Sequence, residues 1–186
     1  MAEPATTPSQ TVGPFFALPG GMLWDDGPEL VPSGREGAFV LHGVLRDGNG
    51  DPVPDGVIEI WQADERGRFD HSADPRPESS GWQGFGRCPT DAQGRFWFRT
   101  VAPGPLPTPS GETEAPHIDV TVLARGMLNR LVTRVYFPDE QANESDPVLS
   151  RIPSERRDTL LGTADAEGLR FDIRLQGDGE TVFFAV

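Results

Sequence analysis

His117 and Asp119 are the two residues whose types and spacing could do chemistry together. The stretch Ala-Pro-His-Ile-Asp-Val-Thr-Val-Leu-Ala-Arg runs from Ala115 to Arg125. Ile118, Val120 and Val122 fall on one face, and His117, Asp119, Thr121 and Leu123 on the other, a period of two that predicts a strand. An imidazole and a carboxylate two residues apart on a strand project to the same side, and both can ligate iron or zinc. The Pro103-Gly-Pro-Leu106 loop comes just before them. Two donors do not hold an ion by themselves. The chain has three histidines, one tyrosine and one cysteine, and the sequence does not place His42 or His71. The position suits a metal while most of its donors are absent. The plainer reading of His117 is a histidine satisfied by hydrogen bonds at the start of a strand.

The elements that would position these residues are mainly β. Phe39–Leu45, Val57–Trp61, Arg95–Thr100, His117–Leu123 and Leu131–Phe137 read as strands. The Asp47-Gly-Asn-Gly-Asp-Pro52 and Asp91-Ala-Gln-Gly94 segments supply turn chemistry between them. Leu169–Leu175 and Thr181–Val186 flank the turn at 176–180 and predict a hairpin. Ser154–Leu161 is the one fair helix, with Ser154 as its candidate N-cap. The expected architecture is an antiparallel β-sandwich with one or two short helices. Two long connections, 64–90 and 103–116, are candidates for function. Residues 1–37, rich in Pro and Gly yet carrying Phe15, Phe16, Met22, Leu23 and Trp24, read as an extended arm packed on another surface, its own or, as expected here, a partner chain's. Residues 38–186 read as the sandwich domain.

Composition removes several classes of function. The 186 residues suit one domain with a real core. The formal net charge is −13, and all 16 basic residues are arginine. So acidic a chain argues against nucleic acid and anionic membrane as partners. No run approaches membrane-spanning length, and the first residues lack the pattern of a secretory signal. A single cysteine, Cys88, excludes an internal disulfide; it reads as a small buried side chain in a reducing, cytoplasmic setting.

Several stretches, in order along the chain, resemble the intradiol ring-cleavage dioxygenases. They are Asp-Gly-Asn-Gly-Asp-Pro-Val (47–53), Ile-Glu-Ile-Trp-Gln-Ala-Asp (58–64), Gly-Arg-Phe-Asp-His (67–71), Thr-Asp-Ala-Gln-Gly-Arg-Phe (90–96), Pro-Gly-Pro-Leu-Pro (103–107) and Ala-Pro-His-Ile-Asp (115–119). The resemblance implies a β-sandwich and a non-haem ferric ion held by two tyrosines and two histidines. Tyrosines would occupy the positions of Phe69 and Leu106, and histidines those of His117 and Asp119. Only His117 is kept. The single Tyr136 independently rules out a two-tyrosinate site, and Glu114 stands where the family has a catalytic arginine. The metal is therefore expected to be absent from this chain.

The segments 7–15, 123–126, 133–137 and 176–184 sharpen the resemblance to one heteromeric branch of the family. There an iron-free chain pairs with a homologous chain that carries Fe(III), and the active site lies between them. What this implies is a subunit of an enzyme that opens 3,4-dihydroxybenzoate (protocatechuate) with O2 in aromatic-compound catabolism, in a higher hetero-oligomer. Carried over residue by residue, Thr11, Gly13, Pro14 and Arg125 would form this chain's part of the substrate wall. Arg125 would offer a planar cationic fork to the substrate carboxylate. The other class open to the sequence is a non-catalytic β-sandwich binding or carrier module, which the 47–56 segment also resembles.

Overall fold

The structure, a computed structural model, describes residues 27–72, 74, 76 and 81–185. Its strands in chain order are β1 (Ala38–Arg46), β2 (Val57–Trp61), β3 (Phe85–Pro89), β4 (Arg95–Val101), β5 (Leu106–Pro107), β6 (Thr113–Glu114), β7 (His117–Leu123), β8 (Leu131–Tyr136), β9 (Thr163–Ala164), β10 (Leu169–Arg170) and β11 (Ile173–Arg174). One sheet is ordered β3-β2-β7-β8, antiparallel throughout. The other is built on β1, which pairs antiparallel with β4 and parallel with β10 and β11.

One core joins the sheets. Leu41 and Leu45 of β1, Phe96 and Phe98 of β4 and Ile173 of β11 pack against Ile58 and Ile60 of β2, Ile118, Val120 and Val122 of β7, and Val135 of β8. These are the inward positions of each period-two pattern, so alternation alone determines which side chains are buried. Gln62, just past β2 and fully buried, ties the layers with polar bonds. Its Nε2 donates to the Val101 carbonyl at 2.9 Å, and its Oε1 accepts from the Thr100 hydroxyl at 2.8 Å. The turns use the expected chemistry. Asp47 Oδ1 accepts from the backbone of Asn49 and Asp51, and Asp91 Oδ1 from that of Gln93 and Arg95, at 2.8–3.0 Å.

Four differences from the sequence reading have physical causes. β3 lies inside the supposed 64–90 connection; its inward residues, Gly86 and Cys88, are too small to show as an apolar pattern, and Gly86 is small because Leu30 and Phe98 fill its space. The edge partner of β1 breaks into β10 and β11. A Cβ on Gly43 would lie 1.9 Å from the Phe171 carbonyl oxygen, so backbone comes in close there, and Asp172 Oδ1 takes the Val44 N–H at 3.0 Å in place of a ladder carbonyl. The 176–180 turn closes only a local rung, Thr181 N–H to the Arg174 carbonyl, after which Phe184 bridges to Val132 of β8, so no second hairpin strand forms within 181–185. The expected helix is one turn, α1 (Ser154–Arg157), continued by a 3-10 turn at Asp158–Leu160; Pro153 holds the N-cap position that Ser154 was expected to fill.

Cys88 is buried in the core, and burial pushes its thiol pKa up. Residues 28–30 run along β4, with Glu29 bridging Arg99 and Leu30 packed on the core. Among the described residues, no helix is long and apolar enough to cross a membrane.

Candidate functional site

The fold brings Phe69, Leu106, His117 and Asp119, the four positions the resemblance pointed to, around the N-terminal end of β7. Leu106 pairs with Glu114 in the small β5–β6 ribbon, and Glu114 Oε2 lies 3.6 Å from His117 Nε2. Across β2, Asp119 is opposite Trp61, and the Trp61 ring stacks on Phe69 with centroids 5.7 Å apart and planes within 4°. The two loops that carry Phe69 and Leu106 are fastened together. Asp64 Oδ1 accepts from the backbone of Arg66 and Arg68, and its carbonyl accepts from Gly104 N–H at 2.8 Å. Gly67, at φ +70°, leaves room for the Pro105 carbonyl, which would lie 2.0 Å from a Cβ there.

What fills this end of the sheet is Arg134 of β8, directly across from Asp119. Its Nε donates to Asp119 Oδ1 at 2.8 Å and its Nη1 to Glu114 Oε2 at 3.0 Å. Burial pulls the guanidinium pKa down, but the charges of Asp119 and Glu114 outweigh that and hold it above the usual value. Behind it, the fully buried Tyr136 donates its hydroxyl proton to Asp146 Oδ1 at 3.3 Å. Burial, the largest influence, raises the phenol pKa against the pull of Arg134. Asp146 is itself buried and also takes the backbone N–H groups of Ala115, Val148 and Leu149.

His117 is buried against Tyr136, ring centroids 5.5 Å apart. Its Nδ1 lies 2.7 Å from the Ala115 carbonyl. A carbonyl only accepts, so Nδ1 carries the proton. Its Nε2 has no hydrogen-bond partner; Asp119 Oδ1 is 3.9 Å away.

These residues do not fit a ferric ion. Phe69 and Leu106 present no donor atoms, and Asp119 and Glu114 are already engaged by a fixed cation that would repel a metal. Among the described residues, no three His, Cys, Asp or Glu side chains form a metal-binding group. His42 is on the other sheet, paired with Asp165 at 3.2 Å, and His71 meets the Trp61 ring edge-on; neither joins His117 in a composite site.

Arg125 sits apart from this cluster. It occupies the turn just beyond β7, while His117 begins that strand, and the seven strand residues alone span about 20 Å. Its side chain is 84% exposed and pairs with Asp55 at 2.8 Å. Thr11, Gly13 and Pro14 lie outside the described residues.

Arg134 was not singled out from the sequence, and Tyr136 only as the chain's single tyrosine. The one available signal was a charged residue interrupting the apolar alternation of Leu131–Phe137. That it opposes Asp119 depends on strand register, which local pattern does not encode.

Residues 25–177 match the Dioxygenase family, and the chain belongs to it, as an intradiol ring-cleavage dioxygenase homologue. Within the family it is similar to the protocatechuate 3,4-dioxygenase alpha chain of Burkholderia cepacia, 45% identical over 97% of each chain. It is also similar to the beta chain of the same enzyme from that organism, 34% identical over 77% of this chain and 66% of the beta chain. Among solved structures it resembles the dioxygenase domain of a dioxygenase carbohydrate-binding protein fusion from Streptomyces sp. SirexAA-E, with a TM-score of 0.62 at 26% identity, over 93% of this chain and 99% of that one. Likeness along the whole length does not favour the carrier-module alternative.

Proposed function

We propose that this chain is the iron-free alpha-type subunit of a protocatechuate 3,4-dioxygenase and works with a homologous beta-type chain that binds Fe(III). Together they would open 3,4-dihydroxybenzoate between its hydroxylated carbons with O2, giving 3-carboxy-cis,cis-muconate. The observation that carries the reading is the filled site. Phe69 and Leu106 lack phenolate oxygens and Arg134 holds Asp119 and Glu114, while the rest of the chain keeps its likeness to an alpha chain. A complete enzyme then needs the metal from another chain.

The task left to this chain is to bind and orient substrate. Arg125 is 84% exposed and pairs with Asp55 through Nε at 2.8 Å, so a carboxylate presented from a partner surface would meet the outer edge of the guanidinium or displace Asp55. Such a contact is worth more near than far. At 4 Å and an effective dielectric of 20 it amounts to about 4 kcal/mol before desolvation, whereas the field of the net charge of −13 is screened within about 8 Å. Thr11, Gly13 and Pro14, in the N-terminal segment that the sequence reads as an arm, would close the wall beside it against the partner chain. Cys88, buried and single, suits a reducing compartment, and the reading includes a cytoplasmic location.

The test is steady-state kinetics of Arg125→Ala in the co-expressed complex. Losing a charged hydrogen-bond partner typically costs about 1.5–3 kcal/mol, so protocatechuate should bind about ten- to a hundredfold more weakly. Catechol, with no carboxylate, should lose much less, and iron content should be unchanged. Equal losses on both substrates would make Arg125 a residue of the interface and remove it from the substrate site.

A further inference from the structure

The outer face of the β3-β2-β7-β8 sheet carries a cavity of about 700 Å³ beside the Asp119–Arg134 pair. That size falls among small-molecule sites, about 300–1,000 Å³. Val132, Ile152 and Phe184 give it apolar walls. Three arginines and two carboxylates supply its charged lining. Both carboxylates are held: Glu59 by Arg87, from outside the cavity, and Asp119 by Arg134. The other two cations, Arg130 and Arg151, enter no side-chain hydrogen bond or ion pair among the described residues. In a chain of net charge −13, two guanidiniums without counter-ions over apolar walls are the wrong surface for a cation and the right one for an anion with an apolar body.

We propose that this cavity is a second ligand site, which takes a small aromatic or alicyclic carboxylate. The ring lies on Phe184, Ile152 and Val132, and the carboxylate is bound by Arg130 and Arg151. Arg125 does not line the cavity, so the site stands or falls independently of the interface role given to Arg125 above. Arg134 closes one side of the cavity and is committed to Asp119 and Glu114, which leaves recognition of the incoming anion to Arg130 and Arg151.

The test titrates 4-fluorobenzoate into the full-length chain and follows its fluorine resonance. Saturable binding is expected with a dissociation constant of about 1 mM or below. Arg130→Gln with Arg151→Gln should weaken it about tenfold or more. Neither side chain bonds to the fold, so the double variant should keep the circular dichroism of the parent. Arg125→Ala should bind as the parent does, and neutral 4-fluorobenzyl alcohol should bind at least about tenfold more weakly. No saturation by about 10 mM, an affinity indifferent to the double substitution, or equal binding of the alcohol would overturn the proposal.

Discussion

Tyr136 is the chain's only tyrosine, so its ionisation can be read by absorbance without deconvolution. In the fold its hydroxyl is buried between Arg134 and Asp146, and burial raises its pKa despite Arg134. An unfolded phenol ionises near pH 10. The folded chain keeps the proton through that range while the unfolded chain loses it. The contribution of Tyr136 to stability is therefore fully present below about pH 10 and is lost as pH rises above it. Absorbance at 295 nm should stay flat through pH 10 while circular dichroism remains native, and then rise together with unfolding. A reversible phenolate signal centred near pH 10 in the folded chain would contradict this burial. At this same scale the sequence was only partly readable. The shared side of His117 and Asp119 followed from a period of two, and the lack of a second tyrosine followed from counting. That Arg134 stands across from Asp119 did not follow, because neighbouring strands and their register are set by the whole sheet. Phe69 and Leu106 look unremarkable as residues and gain meaning only from the family's pattern.

Among the elements, the strands with large inward residues were legible; β3 was not, and β10 and β11 were read as one unbroken strand. β2, β4, β7 and β8 carry Ile, Phe or Val at alternate positions. β3 buries Gly86 and Cys88, and β10 and β11 are split by the close approach of Phe171 to Gly43, so neither signature reaches the sequence. The connection between layers also rests on a residue that composition would send to the surface. Gln62 spends both ends of its amide on β4. Replacing it with leucine keeps the volume and strands the Thr100 hydroxyl and the Val101 carbonyl. Gln62→Leu should lower stability by about 2 kcal/mol, seen as a lower urea midpoint with unchanged slope. Adding Thr100→Val removes one of the stranded groups, so the double variant should lose less than the sum of the single ones. Strict additivity would mean that the amide does not couple the sheets.

The molecule as a whole is a sandwich in which strand β7 runs between two charged clusters. At its start, Arg134 holds Asp119 and Glu114 in an ion-pair cluster. Just past its end, Arg125 is exposed and paired with Asp55. The overall architecture was legible, because turn chemistry and strand spacing repeat along the chain; of the two arginines, Arg125 came from the family's pattern and Arg134 only from the structure.

The Arg134 cluster has one more consequence, for how the chain is supplied. An arginine is synthesised with the polypeptide, whereas a ferric ion has to be acquired from outside. With Asp119 and Glu114 bonded by Arg134, the fold carries its own counter-charge from the moment of translation. Cells grown without iron should therefore make this chain in the same yield and with the same melting temperature as iron-fed cells, and incubation with a strong ferric chelator should not shift that temperature. A melting point that falls by more than about 2 °C on chelation, equivalent to roughly 0.5–1 kcal/mol for a chain of this size, would mean that a metal contributes to the fold. An unchanged melting temperature would mean that this chain folds without drawing on the iron supply.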